Sequence, residues 1–181
     1  RVANHDGGLG SGLVMSGGSV DNEVNVTIGL GANSVVTVPG NLVVSGSTVI
    51  KVLPSDFMAN EDGGANKSIL YDDSGVLGVR TSSDNAELYA FVEIPFGKTA
   101  TSVIVHGNDT GNVVEVFEAA IDASGLTDRT PGGGCVVGTA CNMTDVEASD
   151  KNYLAIRITT TTAASDIVYG AAVTVINTND L

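Results

Sequence analysis

Residues 24–50, VNVTIGLGANSVVTVPGNLVVSGSTVI, contain no Asp, Glu, Lys or Arg, are rich in Val, and are broken repeatedly by Gly. Strand-forming residues recur here on a period of two, in bursts too short for an isolated hairpin to bury a stable apolar face in water. Val24, Val26 and Ile28 make one burst, Val36 and Val38 a second, Leu42 and Val44 a third. Each ends at a turn signal such as Gly29, Gly31 or Pro39-Gly40-Asn41. Such a segment needs a neighbour to cover it, and identical copies of itself are the simplest neighbour. It is expected to be a β-rich arm or shaft, with those seven residues as its assembly contacts.

Charge separates this segment from the remainder of the chain. Of 8 basic and 21 acidic residues, the first fifty positions hold only Arg1, Asp6, Asp21 and Glu23. The chain after Lys51 is strongly acidic, and the net charge of −13 repels phosphate backbones and anionic lipid, which argues against nucleic acid and membrane as partners. No run of about 18 apolar residues suggests a membrane-spanning helix. The rise in charge and Pro54 together place a domain junction near residue 52, giving an arm over 1–51 and a second domain over 52–181. Residues 1–19, with six glycines, read as an irregular lead-in.

Beyond the junction, strand patterns cover approximately 68–71, 75–80, 86–94, 101–106, 113–121, 135–138, 153–160 and 167–176, separated by turn clusters such as DDSG, TSSDN and GNDTGN. About eight strands and no convincing helix predict an all-β fold, an antiparallel, jelly-roll-like β-sandwich preceded by the β-rich arm. Leu88, Ala90, Val92 and Ile94 form one face of a strand and Leu154, Ile156 and Ile158 one face of another; these are core faces. Residues 113–121 carry Val114, Phe117, Glu118 and Ile121 at a helical period, but Val113, Val114 and Val116 favour a strand. Tyr89 and Phe91 lie opposite a core face. A loop or second sheet, or a subunit, must cover them, and they join the candidate assembly contacts.

The residues offer little catalytic chemistry. His106 closes a Val/Ile strand without a nucleophile elbow, and GGLGSG at 7–12 lacks the Lys of a phosphate-binding loop. No catalytic or metal-ligating residue is assigned, and no cofactor is expected. Calcium is the one ion that the acidic turns Glu61-Asp62, Asp72-Asp73 and Asp145/Glu147 would suit, yet they lack the D-x-[DN]-x-[DN]-G spacing. Cys135 and Cys141 are a local pair, forming a disulfide if two short strands bring them together and free thiols otherwise. The absence of Trp and a total of eight Phe and Tyr weaken the case for a sugar-stacking platform.

The segments KVLPSDFMANEDGG, ELYAFVEIPFGKTATSVIVHGNDTGNVVEVFEA and NYLAIRITTTTAASDIVYGAAVTV resemble virion structural proteins, of fibre or decoration type, of tailed phages of marine bacteria including cyanophages. PGNLVVSGSTVIK is similar to the G-N-L-x-V-x-G repeats of phage fibre shafts. The resemblance implies a non-enzymatic homotrimer located on the virion after assembly in the bacterial cytoplasm. Its partners would be capsid or tail proteins and, at a receptor- or carbohydrate-binding tip, the host cell surface.

Overall fold

The computed structural model describes residues 13–17, 24–28, 46–60, 66–163 and 165–178. The chain divides into two compact units, Arg1–Val43 and Val44–Leu181.

In the first unit, β1 (Leu13–Gly17) pairs antiparallel with β2 (Val24–Ile28), with Leu13 opposite Ile28 and Met15 opposite Val26. The lead-in expected to be irregular therefore contains a strand: LVMSG has too little alternation to declare itself alone, and its order comes from the partner. Val24, Val26 and Ile28 lie on β2. Val36, Val38, Leu42 and Val44 fall outside the described residues.

The second unit is an all-β sandwich. Its strands are β3 (Thr48–Val52), β4 (Met58–Ala59), β5 (Ser68–Asp73), β6 (Val76–Thr81), β7 (Glu87–Val92), β8 (Lys98–Gly107) and β9 (Val113–Ala120). Then come β10 (Leu126–Asp128), β11 (Cys135–Val136), β12 (Ala140–Glu147), β13 (Asn152–Thr159) and β14 (Val168–Asn177). One antiparallel sheet runs β10-β9-β13-β7-β4, with β11 also on β9; the other runs β12-β8-β14-β6-β5, with β3 also on β14. The chain changes sheet between β3 and β4, β4 and β5, β6 and β7, β7 and β8, β8 and β9, β11 and β12, β12 and β13, and β13 and β14. That alternation gives the jelly-roll-like character.

The inward faces supply the core: Leu88 and Ala90 of β7, Val103 and Val105 of β8, Val114 and Val116 of β9, Leu154, Ile156 and Ile158 of β13, and Val168, Val173 and Val175 of β14 are all buried. Each fully covered Val, Leu or Ile contributes about 1.5–3 kcal/mol, so the sandwich is held by many modest aliphatic contributions. Phe57 is the one large aromatic among them.

The second unit also differs from the sequence reading. The sandwich unit begins before the expected junction near residue 52, because Thr48–Val52 pairs along β14, Val52 opposite Ala171. Gly170, at φ +137°, allows that approach; a Cβ there would lie 2.6 Å from the Val52 carbonyl oxygen. The strand β12 also escapes the expected set, since its pairing with β8 shifts register between Asn142 and Val146. The bulge breaks the alternation that marks a strand, and Cys141, Met143 and Val146 point inward at unequal spacing.

Candidate functional site: the outer face of the first sheet

The residues between the core positions of β7, β13 and β9 point away from the core, and the register sets them in rows across the sheet. One row is Met58, Tyr89, Arg157 and Glu115; the next is Phe91, Ala155, Phe117 and Asp128; the third is Tyr153, Ala119 and Leu126. Tyr89, Phe91, Phe117 and Tyr153 are half of the chain's eight aromatics, brought to one face. Phe91 is 53% exposed, Met58 59% and Leu126 51%, while Tyr89, Phe117 and Tyr153 are half-buried.

The rings support one another. Tyr89 and Phe91 are stacked with centroids 6.3 Å apart, and Tyr153 meets Phe91 edge-on at 5.9 Å, both within the range in which aromatic pairs attract. Ala155, although on the outer face, is only 1% exposed, because Phe91 and Phe117 flank it in its row. Ala155 and Ala119 thus floor a shallow trough walled by aromatics. At the Leu126 end the face leads into a depression of about 360 Å³ lined by Ala119, Ala123, Gly125, Leu126 and Thr127.

A fixed polar group borders the rings. The Arg157 guanidinium pairs with Glu115, with Nε donating to Oε2 at 2.9 Å, and with Glu87 at 3.1 Å. Its Cζ lies 5.0 Å from the centre of the Phe117 ring, a cation–π distance. Glu87 also accepts from the Tyr89 hydroxyl at 3.1 Å and from Asn60 Nδ2 at 2.7 Å. Burial works against the Arg157 charge, but the bonds and charges of Glu115 and Glu87 outweigh it and hold the guanidinium more firmly protonated than usual. Burial pushes the Tyr89 phenol up, and the Glu87 carboxylate adds to the rise against the opposing effect of Arg157. Tyr89 therefore stays a donor throughout the neutral range.

Of the expected site residues, Tyr89 and Phe91 sit at the centre of this face, and among the described residues no loop or sheet covers Phe91. Phe117, Tyr153 and Arg157 are not singled out by the sequence. Their parity, opposite to Val116, Leu154 and Ile156, marks them as outward-facing, but only the cross-strand register shows that Arg157 lies beside Tyr89, that Tyr153 reaches Phe91, and that Phe117 faces Phe91 across Ala155. Cys135 and Cys141 form a disulfide, Cα atoms 5.6 Å apart. Cys135 belongs to β11 of the first sheet and Cys141 to β12 of the second, so the bond ties the two layers. Glu61 and Asp62 lie outside the described residues. Asp72 and Asp73 fall on β5, Asp145 and Glu147 on β12, and among the described residues no three acidic, His or Cys side chains group to hold a metal ion. His106 is exposed near the end of β8, opposite Gly170.

No protein-family model and no curated protein matches the chain. Among solved structures it is similar to the CBM22-1–GH10 modules of the N-terminal endo-1,4-β-D-xylanase 10B of Clostridium thermocellum, complexed with xylohexaose (15% identity, TM-score 0.40, covering 75% of this chain and 28% of that one). It is also similar to a family two carbohydrate esterase from Cellvibrio japonicus (8% identity, TM-score 0.30, 75% and 35%). The chain spans little more than a third of either protein at most, and the likeness concerns the β-sandwich fold alone.

Proposed function

We propose that the sandwich is a non-catalytic glycan-binding module whose platform is the outer face of the first sheet. We further propose that the uncharged arm fixes it to a larger assembly, as an appendage protein of a tailed-phage virion. The observation that carries the first part is the convergence of Tyr89, Phe91, Phe117 and Tyr153 beside a fixed Arg157–Glu87–Glu115 group. Sugar rings present apolar C–H faces that stack on aromatic rings and hydroxyls that need donors and acceptors at the margin; this face offers both. Arg157 is matched by two carboxylates, so the platform carries net negative charge and suits neutral glycans over uronic or sulfated ones.

Calorimetric titration against neutral polysaccharides (β-glucan, xylan, mannan) and anionic ones (alginate, carrageenan) tests the reading. Binding to a neutral polymer, weakened about tenfold by Phe91→Ala or Tyr153→Ala, a loss of about 1.4 kcal/mol, is expected. Preference for the anionic polymers, or binding indifferent to both substitutions, refutes it.

The appendage role rests on the resemblance to fibre and decoration proteins and on the uncharged arm, whose described residues form a two-stranded β1–β2 hairpin, too few strands for stability by themselves. Three copies joined through their arms satisfy that need, with capsid or tail proteins as the anchor and the host surface as the source of glycan. Light scattering of the full chain is expected to give trimers, and removal of residues 1–43 is expected to abolish trimerisation while the sandwich still melts cooperatively. A monomer with the arm intact refutes the arm's role.

A further inference from the structure

The second sheet ends at β5, and among the described residues no strand pairs with its far edge. Ser82 N donates to Lys67 O at 2.9 Å. The odd-numbered residues of β5 therefore turn their backbone groups to β6, while Ser68, Leu70 and Asp72 turn theirs to the open edge. Natural edges are shielded by Lys, Pro, bulges or short length. Here six residues run in regular register, with Leu70 62% exposed, Ile69 37% and, beside them on β6, Leu77 57%. β6 itself joins β14 at a single pair, Val168 with Val79, so the hairpin projects from the sheet with apolar residues on both faces.

We infer that this edge pairs with the β5 edge of a second copy of the chain, antiparallel about a two-fold axis through Leu70. Backbone groups at the open edge are satisfied only when even-numbered residues of one copy face even-numbered residues of the other. Among such registers, the one centred on Leu70 uses Ser68, Leu70 and Asp72 fully. It also sets Lys67 of each copy opposite Asp73 of the other and Ile69 opposite Tyr71. The edge is thus complementary to itself in charge, as a two-fold interface requires, and opposite charges directly across strands are favourable. Leu70 and Leu77, which share a face of the hairpin, cover the same residues of the second copy, and Arg80, 5.2 Å from the centre of the Tyr71 ring, closes the other face. The contact is strand addition between copies. It is independent of the glycan platform, which lies on the other sheet, and it would link assemblies already joined through their arms.

Charge exchange in the full chain tests this, because Lys67 and Asp73 are exposed and their substitution leaves the fold intact. Sedimentation of the wild type, Lys67→Asp, Asp73→Lys and the double variant is expected to give a wild-type mass twice that of either single variant, with the double variant restored to the wild-type mass. A nitroxide on Leu70→Cys, the native cysteines being paired, reports the register: strong spin–spin coupling between copies is expected, and its loss when Lys67→Asp is added. Equal masses in all four proteins, a double variant that fails to recover, or no coupling at position 70 overturns the inference. Pairing of the edge with a strand of a different protein overturns it equally.

Discussion

Arg157→Met removes the charge at the centre of the platform while keeping much of the apolar stem. The Arg157 side chain is 26% exposed, and those of its partners Glu87 and Glu115 are 19% and 20% exposed, so the group lies between surface and interior. At 3 Å a unit pair is worth about 5 kcal/mol at an effective dielectric of about 20 and about 1.4 kcal/mol in water. Desolvation of three charges offsets most of this gain. Breaking a fully buried pair costs about 3–5 kcal/mol; discounted for partial exposure, the expected loss is about 2 kcal/mol. The asymmetry between the partners sharpens the test. Glu87 keeps the Tyr89 hydroxyl and Asn60, whereas among the described residues the side-chain bonds of Glu115 all come from Arg157. Glu115→Gln in the Arg157→Met background is therefore expected to return at least half of the loss, because it removes the stranded carboxylate. Urea titration of the four proteins in the cycle reads this directly. At a slope of about 1.5 kcal/mol/M, Arg157→Met lowers the midpoint by about 1.3 M and the second substitution raises it again. A midpoint shift under about 0.3 M, or a double variant less stable than Arg157→Met, refutes the claim that the ion group stabilises this face.

Ala155→Leu raises the floor of the trough between Phe91 and Phe117 and is expected to weaken glycan binding at least about tenfold while costing only about 1–2 kcal/mol of stability, measured by calorimetric titration beside thermal melts. The Cys135–Cys141 bond closes a short loop, a sequence separation of 6, worth about 2 kcal/mol of unfolded-state entropy; reductant is expected to lower the melting temperature by about 6 °C, and an unchanged melt refutes that contribution. Burial would raise the Asp166 carboxyl, but hydrogen bonds from Thr162 and Thr161 outweigh it and hold it below its ordinary 3.8; burial likewise opposes the bonds from Asn152 and Arg129 that hold Glu118 below 4.5. Depressed folded values mean that this stability is complete above those ordinary values and is lost as pH falls through the lower, folded ones. Melts between pH 2 and 7 are expected to be flat above about pH 5 and to fall steeply below pH 4, with a shallower fall in Asp166→Asn.

The sandwich is legible in the sequence wherever a strand has one buried face and an unbroken period of two. The alternation of Leu88, Ala90 and Val92 against Tyr89 and Phe91 is such a case, and the structure buries the first set and leaves the second outward. Residues 113–121, balanced between helix and strand periods, form a strand because Val114 and Val116 enter the core while Phe117 packs beneath Arg157. Periodicity fails where the pairing itself is irregular: β12 carries a register shift, and β4 and β10 are two and three residues long, too short to show a period.

The platform illustrates a different limit. Eight aromatics and no Trp argue against a sugar-stacking surface only if the aromatics are scattered, and parity within one strand cannot say whether they are. Tyr89 and Phe91 stand 28 and 26 residues before Phe117 in the chain, and Tyr153 another 36 beyond it. They share one face because β13 lies between β7 and β9, an order in which neither pair of neighbouring strands is consecutive in sequence. The cross-strand partners of Ala155, Phe91 on one side and Phe117 on the other, follow from that order alone. A one-residue slip of β13 would turn Tyr153 and Arg157 into the core and bring Leu154, Ile156 and Ile158 outward, away from the rings of β7 and β9. The burial energy that selects the register of the inner face therefore also assembles the outer one. Substitutions that slip β13 against β7 should consequently abolish binding and core packing together, whereas removal of a single outer ring should separate them.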